Sequence, residues 1–251
     1  MITFFTTTNK LSVPFLNSLE SWDRLSCVDN IFVFTDISEK TILPYSNKVS
    51  VFPSGEENGP PLVRDLFCAS FENSDNDYFC YLNSDILLLS DFSDAFKVCK
   101  EKWSNFQMIG HRINWFDWRR FEQQETESDI KNEVINAGSK MHLDMGVDYF
   151  CFNREVYEKQ MDDFPDFKIA RQRFDHYLAY APRRVNAEVV DCTSMVYCIH
   201  HDESEESRRK NWSTKPDFLN DCLENNRLFQ SCINRDKIYS EGILSARTCE
   251  L

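Results

Sequence analysis

The chain has 251 residues, 42% hydrophobic and 14% aromatic, with six glycines and a formal net charge of −13. That length supports one sizeable core, so a single domain over residues 1–251 is expected, and no segment approaches the ~20 consecutive apolar residues of a membrane helix. The acidic balance without a basic run argues against nucleic acid or an anionic membrane surface as the main partner.

The opening "MITFFTTTNK" has no basic region ahead of an apolar stretch, which predicts no secretory signal and a cytoplasmic protein. Residues 2–8, "ITFFTTT", read as a β-rich segment turning polar at its end. Ser12 and Pro14 then start a helix, with Phe15, Leu16, Leu19, Trp22 and Leu25 on one stripe. "IFVFTD" (31–36) suits a strand buried on both faces, and "VSVF" (49–52) is a third strand closed by the loop "PSGEENGPP". A helix through Leu62, Val63, Leu66, Phe67 and Phe71 follows, and then "YFCYLNSDILLLSDF" (78–92), an apolar run broken by polar residues.

In the second half, "FQMIG" (106–110) and "VDYFCF" (147–152) read as strands around a polar, irregular stretch at 112–140. That stretch holds a short helix near 128–137, ended by Gly138. "FDHYLAY" (174–180) reads as a helix, "AEVVD" (187–191) and "MVYCIHH" (195–201) as strands, and Pro216 opens a last amphipathic helix. Strands alternating with helices predict an α/β fold with a largely parallel sheet.

The ten cysteines, at 27, 68, 80, 99, 151, 192, 198, 222, 232 and 249, include no C-x-x-C pair. They read as buried free thiols in a reducing compartment. Cys192 and Cys198, near His200 and His201, match no common zinc spacing. In such a compartment the sequon Asn211-Trp212-Ser213 carries no glycan.

Parallel α/β sheets gather ligands at the carboxyl ends of their strands. Polar groups mark three such ends: Thr6-Thr7-Thr8, Thr35-Asp36 and Asn83-Ser84-Asp85. Each alone has a capping or turn reading. Together, and followed by a His-rich strand end, they suggest a pocket for a polar ligand.

Asn83-Ser84-Asp85 between apolar arms resembles the D-x-D metal-binding element of GT-A fold glycosyltransferases, with Asn in the first place. Alternation along an extended segment would let Asn83 and Asp85 address one ligand. Three further blocks, "MGVDYFCFNREVY" (145–157), "FDHYLAYAPRR" (174–184) and "VVDCTSMVYCIHHD" (189–202), are similar in order and content to a nucleotide-diphospho-sugar transferase group found in plants, algae, bacteria and large algal viruses. The likeness covers about residues 78–230. After His200 this chain departs from the group's usual continuation.

The resemblance implies a single GT-A-like (Rossmann-like) domain with a mostly parallel central sheet flanked by helices, residues 1–105 forming a nucleotide-binding half and 106–251 an acceptor-side half. It implies a metal-dependent hexosyl- or pentosyltransferase, inverting, that moves a sugar from a nucleotide-diphospho-sugar, UDP-linked first, to a glycan or other hydroxyl acceptor. Mn²⁺ or Mg²⁺ would be held by Asp85 and His200 and would neutralise the leaving diphosphate. Thr6, Thr7 and Thr8 would line the nucleotide cleft, and Asp36 would meet the base or ribose. Asn83 and Ser84 belong to the donor-binding element, where Asn83 would hydrogen-bond the ribose or a metal-bound water. Arg64 is a candidate phosphate contact, with an exposed helix arginine as the alternative.

Asp175 is read as the general base, with a helix cap as the alternative, and Asp148 as a sugar binder. Trp115, Phe116 and Trp118 are candidates to stack on an acceptor sugar, with buried packing the competing account. A catalytically silent domain that only binds nucleotide or glycan is the alternative function. A sugar nucleotidyltransferase is disfavoured, since "FFTTTNKLSV" lacks the glycines of a triphosphate-gripping loop.

Overall fold

The computed structural model describes residues 1–55, 60–116, 118–121, 125–142, 146–202, 216–236 and 248–250. The altered segment after Asp202 and the sequon at Asn211 lie outside them.

The first half alternates as its pattern predicts. Strand β1 (Ile2–Thr7) leads into helix α1 (Val13–Asp23), whose N-cap Ser12 accepts from the Phe15 amide. Strand β2 (Val28–Phe34), short helix α2 (Glu39–Ile42), β3 (Val49–Phe52), α3 (Val63–Glu72) and β4 (Tyr78–Leu82) follow. After a turn come β5 (Ile86–Leu87) and α4 (Ser90–Lys102), then β6 (Phe106–Ile109). The stretch expected to be irregular at 112–115 is instead a strand, β7 (Arg112–Trp115). Helix α5 (Glu127–Asn136) carries a capping box between Thr126 and Asp129. The chain continues through β8 (Lys140–Met141), β9 (Tyr149–Asn153), α6 (Arg154–Glu158), α7 (Phe174–Tyr180), β10 (Glu188–Asp191), β11 (Cys198–His201), α8 (Pro216–Asp236) and β12 (Thr248–Glu250).

The main sheet runs β12-β10-β6-β9-β4-β1-β2-β3. Every pairing is parallel except those of β9, which lies antiparallel to both β4 and β6. One consequence matters for chemistry: β9 begins at the edge where its neighbours end. Asp148, just ahead of β9, therefore stands beside Asn83, just after β4, and the Asn83 amide donates to the Asp148 carbonyl at 3.1 Å.

Two apolar layers sandwich this sheet. Phe15, Leu19 and Trp22 of α1 pack with Phe92, Ala95 and Phe96 of α4 on one face. Helices α3, α6, α7 and α8 cover the other, where Phe67 stacks on Phe152 with centroids 5.5 Å apart. Burying large rings on both sides of parallel strands stabilises each by about 1.5–3 kcal/mol relative to exposure. The nine cysteines with described side chains are free, and seven are buried. Among the described residues no helix is long and apolar enough to cross a membrane.

A second sheet, β5-β11-β7-β8, sits against the carboxyl edge of the first. Strand β11 pairs antiparallel with β5 and parallel with β7, placing His200 opposite both Ile86 and Asn114. Helix α1 braces this sheet: the Trp22 indole donates to the Ile86 carbonyl at 2.8 Å, and the Ser21 hydroxyl accepts from the Leu88 amide at 3.2 Å.

Candidate active site

The small sheet sorts its side chains by the two-residue period of a strand. His200 and its cross-strand partner Asn114 share one face with Arg112; His201, Ile199 and Trp115 share the other. The two adjacent histidines therefore have opposite fates.

His201 turns into a satellite core with Trp115, Trp118 and Phe121 around its ring. Its Nδ1 faces the Asp85 carbonyl at 3.2 Å and its Nε2 the Asn17 amide nitrogen at 3.2 Å. A carbonyl only accepts and an amide NH₂ only donates, so Nδ1 carries the proton and the ring is neutral. Burial disfavours its charged form and lowers its pKa to about 4.

His200 turns toward Asp85. Its Nε2 lies 3.3 Å from Asp85 Oδ2, while Nδ1 lies 3.9 Å from Asp202 Oδ1. Burial alone would depress His200, but the Asp85 carboxylate reverses that and raises it. Burial works against ionised Asp85 in turn, and the imidazole beside it lowers its pKa. Among the described residues no group of three or more His, Cys, Asp or Glu side chains is arranged to hold a metal. Asp85 and His200 form a two-donor edge, and Nδ1 of His200 has no hydrogen-bond partner among those residues.

Asn83 and Asp85 do not share an extended face, as strand alternation would have them. The Ile86 amide donates to the Asn83 carbonyl at 3.3 Å, closing a β-turn that ends the alternation. Asn83 points to the other side of the pocket. Its Oδ1 accepts from the Tyr81 hydroxyl at 3.1 Å, and its Nδ2 donates to Asp148 Oδ1 at 2.6 Å. Asp148 Oδ2 takes a charged hydrogen bond from Arg112, whose Nε donates to Asn114 Oδ1 at 3.0 Å. Here the departure from D-x-D has a physical reason: a carboxylate at 83 would abut that of Asp148. The pair is mostly enclosed, at 13% and 10% side-chain exposure, and Asp148 keeps Arg112 charged against the effect of burial.

Asp175 completes the group. Phe174, its neighbour in sequence, packs on buried Tyr81 with ring centroids 6.1 Å apart, and after burial the carboxylates of Asp148, Asp85 and Asp175 push the Tyr81 phenol up. Asp175 is the second residue of α7 rather than its N-cap; its Oδ1 accepts from the first-turn amide of His176 (2.9 Å) and from His176 Nδ1 (2.8 Å), so the helix-end reading stands beside the catalytic one.

The remaining expected residues lie along the same carboxyl edge or beyond it. Thr6 is buried, with no described partner for its hydroxyl; Thr7 donates to the Phe34 carbonyl at 3.0 Å and Thr8 to that of Lys10 at 2.9 Å. Asp36, exposed just past β2, accepts from the Ser54 hydroxyl at 2.9 Å, tying the ends of β2 and β3 together. Ser84 is half-buried in the turn. Arg64 is ion-paired with Asp166 at 2.8 Å on the start of α3. Trp115 is fully buried against Phe121, and Trp118 donates to the Asp202 carbonyl at 3.1 Å, whereas Phe116 is 52% exposed. Sequence reasoning missed Arg112 and Asn114, although the polar–apolar alternation of Arg112-Ile113-Asn114-Trp115 is the mark of a strand presenting two polar groups to one side.

No family model and no curated protein matches the sequence. Solved structures do match the fold. The chain is similar to S. aureus TarS 1–349 in complex with UDP-GlcNAc, at TM-score 0.55 and 14% identity, over 93% of this chain and 72% of that one. A second S. aureus TarS 1–349 structure matches at TM-score 0.51 and 13% identity, over 96% and 72%. Such identities speak to fold, and the fold is the GT-A-like one: a mostly parallel sheet flanked by helices, with its polar groups gathered at the carboxyl edge.

Proposed function

We propose that this protein is an inverting glycosyltransferase that moves a sugar from a nucleotide-diphospho-sugar, UDP-linked, to a hydroxyl of a glycan or similar acceptor. The observation that carries the reading is the gathering of Asp85–His200 and Asn83–Asp148–Arg112 at the strand edge where α/β sheets bind ligands, with Phe174, next to Asp175, packed on Tyr81. The TarS fragment of the same fold holds UDP-GlcNAc, which supports a UDP-sugar donor here. The free, buried cysteines support a cytoplasmic setting.

The donor set fits a divalent cation. Two ligands ~2.1 Å from one ion at right angles stand about 3.0 Å apart, close to the 3.3 Å between Asp85 Oδ2 and His200 Nε2. Asp85 and His200 would hold such an ion, which when bound would supply positive charge to neutralise the leaving diphosphate. Asp202 stands on the other side of His200, its Oδ1 3.9 Å from Nδ1, beyond hydrogen-bond distance. Thr8, Asp36 and the 83–85 turn would receive the nucleotide. Asp148, fixed by Asn83 and Arg112, would accept from sugar hydroxyls. Asp175 would take the acceptor hydroxyl's proton as that oxygen attacks the anomeric carbon and the nucleoside diphosphate leaves with the bonding electrons.

The test is turnover of UDP-sugars with Mn²⁺ or Mg²⁺, followed as UDP release. Turnover that EDTA abolishes and Asp85→Ala removes is the expected result. Tight metal-dependent UDP-sugar binding with no turnover toward any acceptor, or toward water, would indicate the silent binding domain instead. Absence of UDP-sugar binding altogether would overturn the reading.

A further inference from the structure

Helix α7, which carries Asp175, starts from a strained strap. Three non-glycine residues have positive φ among those described, and two of them, Ala170 (φ 53°) and Arg173 (φ 82°), precede it directly. Side chains with a Cβ rarely adopt such angles, and they persist where surroundings over-determine them, often at functional sites.

The surroundings here are one face of α8. Phe218, Asp221, Asn225 and Phe229 recur at helical spacing. Asp221 pairs with Lys168 at 2.5 Å and with Arg171 at 3.3 Å, and Asn225 exchanges two 3.0 Å bonds with the backbone of Lys168. Arg171 lies 4.5 Å over the Phe218 ring and Arg173 5.8 Å over that of Phe229.

Arg173 Nη1 also stands 3.5 Å from His176 Nε2. A guanidinium has donors only, so Nε2 is the acceptor and the proton sits on Nδ1, which gives it to Asp175 Oδ1 at 2.8 Å. The same imidazole packs in a T-shaped pair with Phe229, 5.7 Å between centroids. Arg173, His176 and Asp175 thus form a chain of donors ending on Oδ1 of a carboxylate whose side chain is 33% exposed.

We propose that His176 is a positioning residue for the reaction: its Nδ1–H, held in that tautomer by Arg173 and braced by Phe229, fixes Asp175 Oδ1 and aims Oδ2 at the acceptor hydroxyl. This rests on Asp175 being the base. The imidazole does not exchange a proton with substrate; it sets the geometry of the group that does.

Two polar replacements separate this from simple packing, since both lose the Phe229 contact. His176→Asn keeps a donor near the Nδ1 position, whereas His176→Gln carries its amide one bond farther out, nearer Nε2. Measured for glycosyl transfer, His176→Gln should lower kcat by about 10- to 100-fold, the worth of a hydrogen bond to a charged group, with the donor KM unchanged. His176→Asn should retain kcat within about threefold of wild type, and in an Asp175→Asn background His176→Gln should lower kcat no further. Equal kcat for the two variants, whether both wild-type-like or both impaired, would overturn the proposal, as would a further loss in the Asp175→Asn background. If Asp175→Asn itself turns over like wild type, the base assignment falls and the positioning role with it. If Asp175→Asn is inactive and His176→Gln is normal, the positioning role alone falls.

Discussion

Asn83 illustrates how one atom decides a residue choice. Its Nδ2 donates across 2.6 Å to Asp148, so Asn83→Asp would set two carboxylates at hydrogen-bond distance, and one would have to hold a proton. That substitution restores the usual D-x-D spelling, yet it is expected to weaken donor binding and to destabilise the fold by on the order of 2 kcal/mol. Asn83→Asp combined with Asp148→Asn restores one donor and one acceptor and should recover much of both. Denaturant melts and donor titrations on the three proteins check it. Asp148→Asn alone should raise the donor KM more than it lowers kcat. Asp175→Asn should do the reverse, lowering kcat by ~10²–10⁴-fold while sparing nucleotide affinity.

His201 supplies a pH prediction at the same scale. It is neutral in the fold with a pKa of about 4, against about 6.5 when unfolded. Below 6.5 the unfolded chain binds the extra proton, so this contribution is full above pH 6.5 and is lost as pH falls toward 4. At pH 5 the loss is about 2 kcal/mol. His200 is shifted upward and works in the opposite sense, so the test is a difference: the stability gap between wild type and His201→Phe should narrow by about that amount between pH 7 and pH 5. A pH-independent gap would show that His201 already titrates normally in the fold.

Element by element, the pattern of the sequence predicted the fold where one rule dominated. Helix α1 begins at its Ser12 cap, α7 spans 174–180 and α8 opens at Pro216, because capping, helical period and proline leave little choice there. The strand at 112–115 went unread because its alternation spans four residues inside a polar stretch, and its identity comes from pairing with β11, far away in sequence. The site was legible in part for the same reason. Asp85, Asp148, Asp175 and His200 stand out at element ends, whereas Arg112 joins the candidate site only because two sheets meet. The contact between Asn83 and Asp148 was equally hidden, since it follows from β9 running against its neighbours.

The clamp by α8 is also an element-scale feature with its own test. Asn225 is fully buried and its two bonds to Lys168 fasten the strap ahead of Asp175. Asn225→Ala leaves those backbone groups unpaired and should cost about 1–3 kcal/mol. It should also lower kcat while leaving UDP affinity unchanged, because the edge at β1, β2 and β4 proposed to receive the nucleotide makes no use of the strap. Loss of UDP affinity in this variant would show that the two regions are coupled.

At the scale of the whole molecule, the proposed donor would bring a negatively charged diphosphate to an edge rich in carboxylates on a chain of net charge −13. Arg112 is committed to Asp148 and Arg64 to Asp166, so the account assigns the compensating charge to a cation on Asp85 and His200. Calorimetric titration of UDP into the protein, with Mn²⁺ and then with EDTA, measures that directly. The account predicts UDP binding that requires the metal and weakens at least about tenfold in both Asp85→Ala and His200→Ala, the order set by losing one charged contact. Equal UDP affinity in EDTA, or undiminished Mn²⁺-supported binding in the two variants, would contradict it.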